Sequence, residues 1–114
     1  MRIKIISDIT ASLLITDGAD LPLSQPLIKF SVAQHATAGC IYVTGGSSNK
    51  ISKGQAYRYQ IRSSVWTELP SSMNYSRQDH SSLVIGDKLA VVGGFSQMAF
   101  LSSVEILDLQ NDEA

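Results

Sequence analysis

The feature that most constrains this chain is an internal repeat with a period of 48 residues. Residues 41–46 align with residues 89–94, and each is an apolar run that ends in two glycines. Downstream, residues 56–61 align with residues 104–109 without a gap. Both segments alternate between apolar and polar positions, as half-buried strands do. Repeat units of this size bury their apolar faces by stacking on neighbouring units. The chain is therefore expected to fold as stacked copies of one unit.

Upstream landmarks extend the repeat toward the start of the chain. Residues 75–80 match residues 30–35 once three residues are removed from the turn that follows, which places His35 and His80 at equivalent positions. Leu69-Pro70 likewise matches Leu21-Pro22. These landmarks predict one unit over residues 21–68 and an incomplete second unit over residues 69–114. Residues 1–20 are interpreted as the last two strands of a preceding unit.

Each unit is predicted to contain four short strands. In the second unit these are 79–85, 88–93 and 103–109, with 64–68 contributed from the previous copy. Gly86-Asp87 forms a tight turn between the first two, because glycine accepts positive φ and aspartate favours turns. No window sustains the i, i+3, i+4, i+7 apolar spacing of a helix. The predicted fold class is all-β, with four-stranded antiparallel sheets.

The order of landmarks in the unit resembles the kelch repeat. A strand ends in Gly45-Gly46, aromatic residues follow at Tyr57 and Tyr59, and Trp66 comes several residues later. The resemblance implies a kelch-type β-propeller in which each unit forms one blade and Trp66 packs between adjacent blades. Its structural landmarks in this sequence are Gly45, Gly46, Tyr57, Trp66, Gly93 and Gly94. The second copy departs from the pattern, because Glu105 replaces Tyr57 and Ala114 stands where a second tryptophan would fall.

The number of units is too small for a closed ring. Propellers close with about four to eight blades, whereas this sequence supplies about two. The chain is therefore expected to be an incomplete kelch-type β-propeller, a fragment of a longer protein. An assembly of several chains and an unstable arc remain as alternatives.

Composition and charge exclude several classes of function. The formal net charge of −1 provides no basic footprint for nucleic acid or an anionic membrane surface. No apolar run approaches the roughly 20 residues that cross a bilayer, and Asp8 interrupts the apolar stretch that a signal peptide would need. Cys40 is the single cysteine, so no internal disulfide can form. These features predict a cytoplasmic protein without nucleic-acid or membrane partners.

Motifs for catalysis or metal binding are weak. The stretch 45–54 is rich in glycine but lacks the order of a phosphate-binding loop. His35 and His80 have no nearby histidine or cysteine at the spacing of a metal site. Asp79-His80-Ser81 contains the residue types of a hydrolytic triad, but neighbouring strand residues point to opposite faces. The prediction is no catalytic residue, no metal and no cofactor.

Topology supplies the best functional indication. In an up-and-down blade, segments 47–54, 70–78 and 95–102 share one end of the propeller, and kelch propellers commonly bind protein partners there. Aromatic, methionine, arginine and small polar side chains in these loops resemble a protein-binding surface. The candidate partner-binding residues are Ser47, Asn49, Lys50, Tyr75, Arg77, Phe95, Gln97, Met98 and Phe100. The predicted function is binding of a protein partner of unknown identity.

Two alternatives to this function remain open. Kelch-like propellers also occur in copper oxidases of the galactose-oxidase type and in sugar epimerases, so the chain could be a fragment of such an enzyme. Copper would need a converging set of tyrosine, histidine and cysteine ligands, and Tyr57, Tyr59 and Cys40 show no such spacing. The second alternative is a structural arc that other blades or another chain complete.

Overall fold

The computed structural model describes the backbone of residues 2–9 and 12–110 and the side chains of residues 20–110. Every regular element among the described residues is a β-strand, and all paired strands run antiparallel. The described residues contain no helix that is long and apolar enough to cross a membrane. The prediction of an all-β, antiparallel fold is confirmed.

The chain begins with a hairpin of two long strands. Strand β1 covers Arg2–Ile9 and strand β2 covers Ser12–Asp20. Their register shifts between Arg2 and Lys4. The assignment of residues 1–20 to a preceding unit stays a prediction.

The first larger sheet has four strands in the order β3-β4-β7-β8. Its strands are β3 (Ser31–His35), β4 (Cys40–Thr44), β7 (Ala56–Gln60) and β8 (Val65–Glu68). Strand β8 pairs with β7 through Tyr59 and Trp66, so the prediction that 64–68 supplies a strand to the sheet of the second unit is wrong. The short turn at 61–64 returns the chain directly beside β7, which favours this local pairing.

The second larger sheet repeats the first three of these strands in the order β13-β10-β9. Its strands are β9 (Ser81–Ile85), β10 (Lys88–Val92) and β13 (Val104–Asp108). The predicted two-residue turn at Gly86-Asp87 joins β9 and β10, and Gly86 has a positive φ of 59° there.

A small hairpin lies between the second and third strands of each sheet. The first hairpin pairs β5 (Ser47–Ser48) with β6 (Ile51–Ser52), and the second pairs β11 (Phe95–Ser96) with β12 (Ala99–Phe100). The turn residues all have positive φ: 54° and 65° at Asn49 and Lys50, and 48° and 70° at Gln97 and Met98. Two consecutive positive φ values define the type I′ turn that matches the twist of paired strands.

Strand register corrects the alignment upstream of the glycine pair. Ser31 pairs with Thr44 and Ser81 pairs with Val92, so Ser81 is the equivalent of Ser31. The offset there is 50 residues, because two fewer residues connect β9 and β10 than connect β3 and β4. His80 therefore corresponds to Phe30, and the predicted equivalence of His35 and His80 is wrong.

The main core lies between the two larger sheets. The sheets meet along β3 and β9, where the Oγ atoms of Ser31 and Ser82 are 2.6 Å apart. The buried residues of this core are Ala33, Cys40, Tyr42, Ala56, Leu69, Leu89 and Leu109. Leu69 enters the core from the segment that connects the sheets.

A second cluster covers the other face of the first sheet. It contains Leu21, Leu27, Val43 and Tyr57, with Leu23, Phe30 and Trp66 packed against them. The Trp66 ring lies on Tyr59, with 4.8 Å between the ring centroids. Directly paired residues share one face of a sheet, and successive residues alternate. Trp66 therefore points away from the second sheet, and its packing between adjacent blades stays a prediction.

Candidate functional site

The loops collect at one end of the two sheets, called the loop end below: segments 20–30, 45–55, 69–80 and 93–103. Segment 69–80, the linker, crosses the first small hairpin before it enters the second sheet. The Met73 N–H donates to the Gly54 carbonyl at 2.8 Å, and the Arg77 N–H donates to the Lys53 carbonyl at 3.0 Å. Gln78 then pairs with Phe95 of the second hairpin. The structure thus brings the three predicted loop segments together.

Arg77 lies inside this loop assembly and not on its surface. Its side chain is fully buried, with 0% exposure. Nη1 donates to the carbonyls of Gly93 and Ser103, both at 2.9 Å. Nη2 donates to the Ser103 Oγ at 2.8 Å and to the Glu105 carboxylate at 2.9 Å. Arg77 is therefore unavailable to a partner, and it fixes the linker against the second sheet.

Glu105 completes a charged network with Arg77. Its carboxylate also accepts the backbone N–H groups of Asn74 at 2.6 Å and Tyr75 at 3.1 Å. Burial alone would raise the pKa of Glu105, but these hydrogen bonds and the Arg77 charge outweigh burial and lower the pKa. The carboxylate thus stays ionised and ties residues 74–77 of the linker to β13.

The ion pair explains why the second copy departs from the repeat pattern. By strand register, Arg77 and Glu105 correspond to Leu27 and Tyr57 of the first unit. Leu27 and Tyr57 belong to one apolar cluster there. The second unit has replaced an apolar pair with a charged pair at the same two positions. A sequence comparison of the two units with the corrected register would have found this exchange.

His80 is a buried residue of the linker, and the sequence patterns did not indicate its contact with the first sheet. Its Nε2 lies 2.7 Å from the Thr44 Oγ1, so it connects the linker to the first sheet. Its Nδ1 is buried without a hydrogen-bond partner among the described residues. Burial lowers the pKa of His80, and the Arg77 charge lowers it further. The imidazole is therefore neutral at neutral pH.

The other predicted loop residues divide into supporting and exposed groups. Ser47 is buried because its backbone pairs with Ile28, and Phe95 is half-buried in the equivalent contact with Gln78. Asn49, Lys50, Gln97, Met98, Phe100 and Tyr75 are exposed. The exposed group includes Met98 at 91% and Phe100 at 88%, the largest exposures among the large hydrophobic side chains described.

An open groove adjoins the second small hairpin. It has a volume of about 510 Å³ and is lined by Lys29, Gln78, Asp79, Gly94, Phe95, Phe100 and Leu101. The Phe95 and Phe100 rings pack edge to face, with 5.2 Å between their centroids. Phe100 thus packs against Phe95 and is exposed to solvent beside the groove.

A histidine, a cysteine and an aspartate come together at the opposite end of the sheets. The His35 Nε2 lies 3.1 Å from the Asp87 Oδ1, and Cys40 pairs with His35 across two strands. The Cys40 thiol donates to the Gln60 Oε1 at 3.2 Å, and burial raises the pKa of Cys40. A thiol with a raised pKa is a poor nucleophile. Among the described residues, no three His, Cys, Asp or Glu side chains form a group able to hold a metal ion.

Comparisons with known proteins agree with this architecture. A family model described as the kelch motif matches residues 35–73 and 76–113. Kelch-like protein 36 of Bos taurus is 37% identical over 79 residues, which cover 65% of this chain and 13% of the relative. Kelch-like protein 36 of Rattus norvegicus is 40% identical over 72 residues, or 59% of this chain and 12% of the relative. The chain spans about an eighth of the length of these curated relatives.

Proposed function

Because the chain belongs to the kelch-repeat family, we propose that it is a non-catalytic kelch segment that binds a protein partner through its loop end. The proposal treats the chain as part of a larger propeller, with units at residues 21–68 and 69–114 and residues 1–20 in a preceding unit. The similarity to Kelch-like proteins supports an interaction module, and the described site chemistry includes no activated nucleophile.

The observation that carries the proposal is the exposed apolar tip of the second small hairpin. Met98 and Phe100 are 91% and 88% exposed, yet the hairpin beneath them is ordered by strand pairing and by the Phe95 ring. Methionine and aromatic side chains are enriched at protein interfaces, and rigid anchors reduce the entropy lost on binding. Asn49, Lys50, Gln97 and Tyr75 are exposed residues of the same loop end and supply further polar and aromatic contacts in this proposal.

Buried residues of the predicted set have a supporting role in this proposal. Arg77 and Ser47 hold the loop backbones in place, because their contacts are internal to the loop end. Phe95 supports Phe100 through the edge-to-face contact. The partner therefore contacts the turn tips, and the linker network determines where those tips lie.

The two type I′ turns allow a binding test that preserves the fold. Lys50 and Met98 both have positive φ, which glycine adopts more readily than either side chain. Lys50→Gly with Met98→Gly removes two exposed side chains without opposing the turn geometry. The experiment compares proteins captured from a lysate of the source cells by the original chain and by this variant, with quantitative mass spectrometry.

Ser64→Gly is the matched control, since Ser64 also has positive φ but lies in the turn at the opposite end. We expect a specific set of proteins to be retained by the original chain and by the control and to fall at least tenfold with the double variant. Equal capture by all three chains would refute the loop end as the binding surface. Equal thermal stability of the three chains, measured by circular dichroism, excludes unfolding as the cause.

A further inference from the structure

The turn of the second small hairpin carries a methionine that the fold itself does not require. Met98 has a φ of 70°, a region in which glycine and asparagine are common and other residues are uncommon. The equivalent turn of the first hairpin consists of two polar residues, Asn49 and Lys50. Met98 is 91% exposed, so its side chain contributes little to the core. The choice of methionine here indicates a role other than folding of the turn.

Met98 is also the most exposed sulfur-containing residue in the part of the chain that the structure describes. Met73 is half-buried, and its Cε lies beside Gly45. Cys40 is 4% exposed, and burial raises the pKa of its thiol, which disfavours the thiolate that peroxides attack. Because oxidation of sulfur follows its exposure, a peroxide in solution should react with Met98 before it reacts with these two residues.

The product of that reaction is methionine sulfoxide. The thioether sulfur attacks one oxygen of hydrogen peroxide, so an S–O bond forms as the O–O bond breaks, and the second oxygen leaves as water after proton transfer. Sulfur loses two electrons, and the peroxide is reduced to water. No catalytic residue is needed, so the reaction is compatible with a non-catalytic segment. Methionine sulfoxide reductases reverse the modification.

Oxidation would change the surface of the tip and not the fold beneath it. The hairpin is held by the pairing of Phe95 with Phe100 and of Ser96 with Ala99, and by the contact between the two phenylalanine rings. None of these contacts uses the Met98 side chain. A sulfoxide oxygen would, however, be buried without a hydrogen-bond donor by a partner that fits an apolar side chain, and such burial is unfavourable.

We propose that Met98 is a peroxide-sensitive modification site, and that its oxidation to the sulfoxide weakens binding at the loop end until a reductase restores the thioether. This inference rests on the proposed function, because it requires the partner to contact the tip formed by Met98 and Phe100. The sulfoxide makes the second turn polar, like the equivalent turn of the first hairpin. A partner that covers Met98 should in turn slow its oxidation.

The first experiment treats the full chain alone with hydrogen peroxide and follows each methionine by peptide mapping with mass spectrometry. Met98 should be oxidised at least about tenfold faster than Met73, because their exposures differ. Equal rates, or faster oxidation of Met73, would overturn the site but leave the proposed function standing, since no partner takes part. An unchanged circular dichroism spectrum after oxidation confirms that the fold is retained.

The second experiment repeats the lysate capture with the oxidised chain, after catalase has removed the peroxide and without added thiol reductant. Capture of the proteins that depend on the loop end should fall about tenfold, as expected when a polar group is buried without a hydrogen-bond partner. Treatment of the oxidised chain with methionine sulfoxide reductases should restore it. Undiminished capture by the oxidised chain would overturn the proposal.

Two variants separate oxidation of Met98 from other effects of peroxide. Met98→Leu has no sulfur at the tip, so peroxide should leave its capture at that variant's own untreated level. Met73→Leu is the matched control and should respond to peroxide as the original chain does. An equal fall for Met98→Leu would overturn the proposal. Normal capture by the variant with Lys50→Gly and Met98→Gly would refute the proposed function, and this inference with it.

Discussion

The exchange of an apolar pair for the Arg77–Glu105 ion pair leads to a quantitative prediction about stability. Glu105→Tyr leaves the fully buried Arg77 guanidinium without a counter-charge. Breaking a buried ion pair by removing one partner costs about 3–5 kcal/mol. That is a large part of the roughly 5–15 kcal/mol by which domains are stable. The Glu105 side chain is only 16% exposed, so water has little access to this position and cannot replace the lost carboxylate as a partner of Arg77.

The double variant Arg77→Leu with Glu105→Tyr restores the residue pair that the first unit uses at Leu27 and Tyr57. Replacing a buried ion pair with packed apolar groups is often neutral. The carbonyls of Gly93 and Ser103 each lose the hydrogen bond from Arg77 Nη1, however, at about 1 kcal/mol per bond. The double variant should therefore be about 2 kcal/mol less stable than the original chain and more stable than Glu105→Tyr alone.

Urea unfolding, followed by far-UV circular dichroism at pH 7, measures the free energy of unfolding of the original chain, Arg77→Leu, Glu105→Tyr and the double variant, which form a double-mutant cycle. The coupling free energy between positions 77 and 105 should be at least about 1–3 kcal/mol, the difference between the loss of about 3–5 kcal/mol for Glu105→Tyr and about 2 kcal/mol for the double variant. Lys88→Ala serves as the control, because the Lys88–Asp108 pair is exposed and 3.5 Å long, so its loss should cost under about 1 kcal/mol. Additive losses at positions 77 and 105 would show that the two residues act independently and would refute this reasoning.

Two further predictions concern pH and the glycine pair. The pKa of His80 is lowered in the folded chain, so the unfolded chain binds the proton first and stability should fall as pH drops below about 6.5. His80→Phe should make the urea midpoint nearly independent of pH between pH 7 and 5. The loss of stability caused by protonation of Glu105 below about pH 4.5 should remain in this variant. A pH profile identical to that of the original chain would contradict the role of His80. Gly94 has φ +97°, and an added Cβ would lie 2.7 Å from the Gln78 carbonyl oxygen, so Gly94→Ala should cost roughly 3 kcal/mol or more. A Cβ at Gly86 would meet open space, so Gly86→Ala should lower the free energy of unfolding by only about 1–2 kcal/mol, because of the positive φ. Equal losses of stability for the two variants in thermal unfolding would argue against the close contact at Gly94.

Sequence reasoning was most accurate where local chemistry decides the structure. The strands on either side of Gly86-Asp87, β9 and β10, lie within two residues of their predicted bounds. It was inaccurate where turn length changes the register. Matching His35 to His80 takes three residues off the 48-residue period, whereas the turn after β9, two residues shorter than the turn after β3, adds two and gives an offset of 50. It also placed Arg77 among exposed loop residues, since a loop position alone does not show that a carboxylate lies opposite.

The sequence by itself determined the repeated unit, the all-β class and the turn positions, because apolar alternation and glycine pairs act over a few residues. Only the tertiary structure decided which face of each sheet is covered. Alternation shows that Trp66 shares a face with Tyr57, but not that this face points away from the second sheet. The same limit applies to Met98 and Phe100, whose exposure depends on which segments cross the hairpin. Such coverage depends on contacts between residues far apart in the chain, and these contacts leave no periodic signal in the sequence.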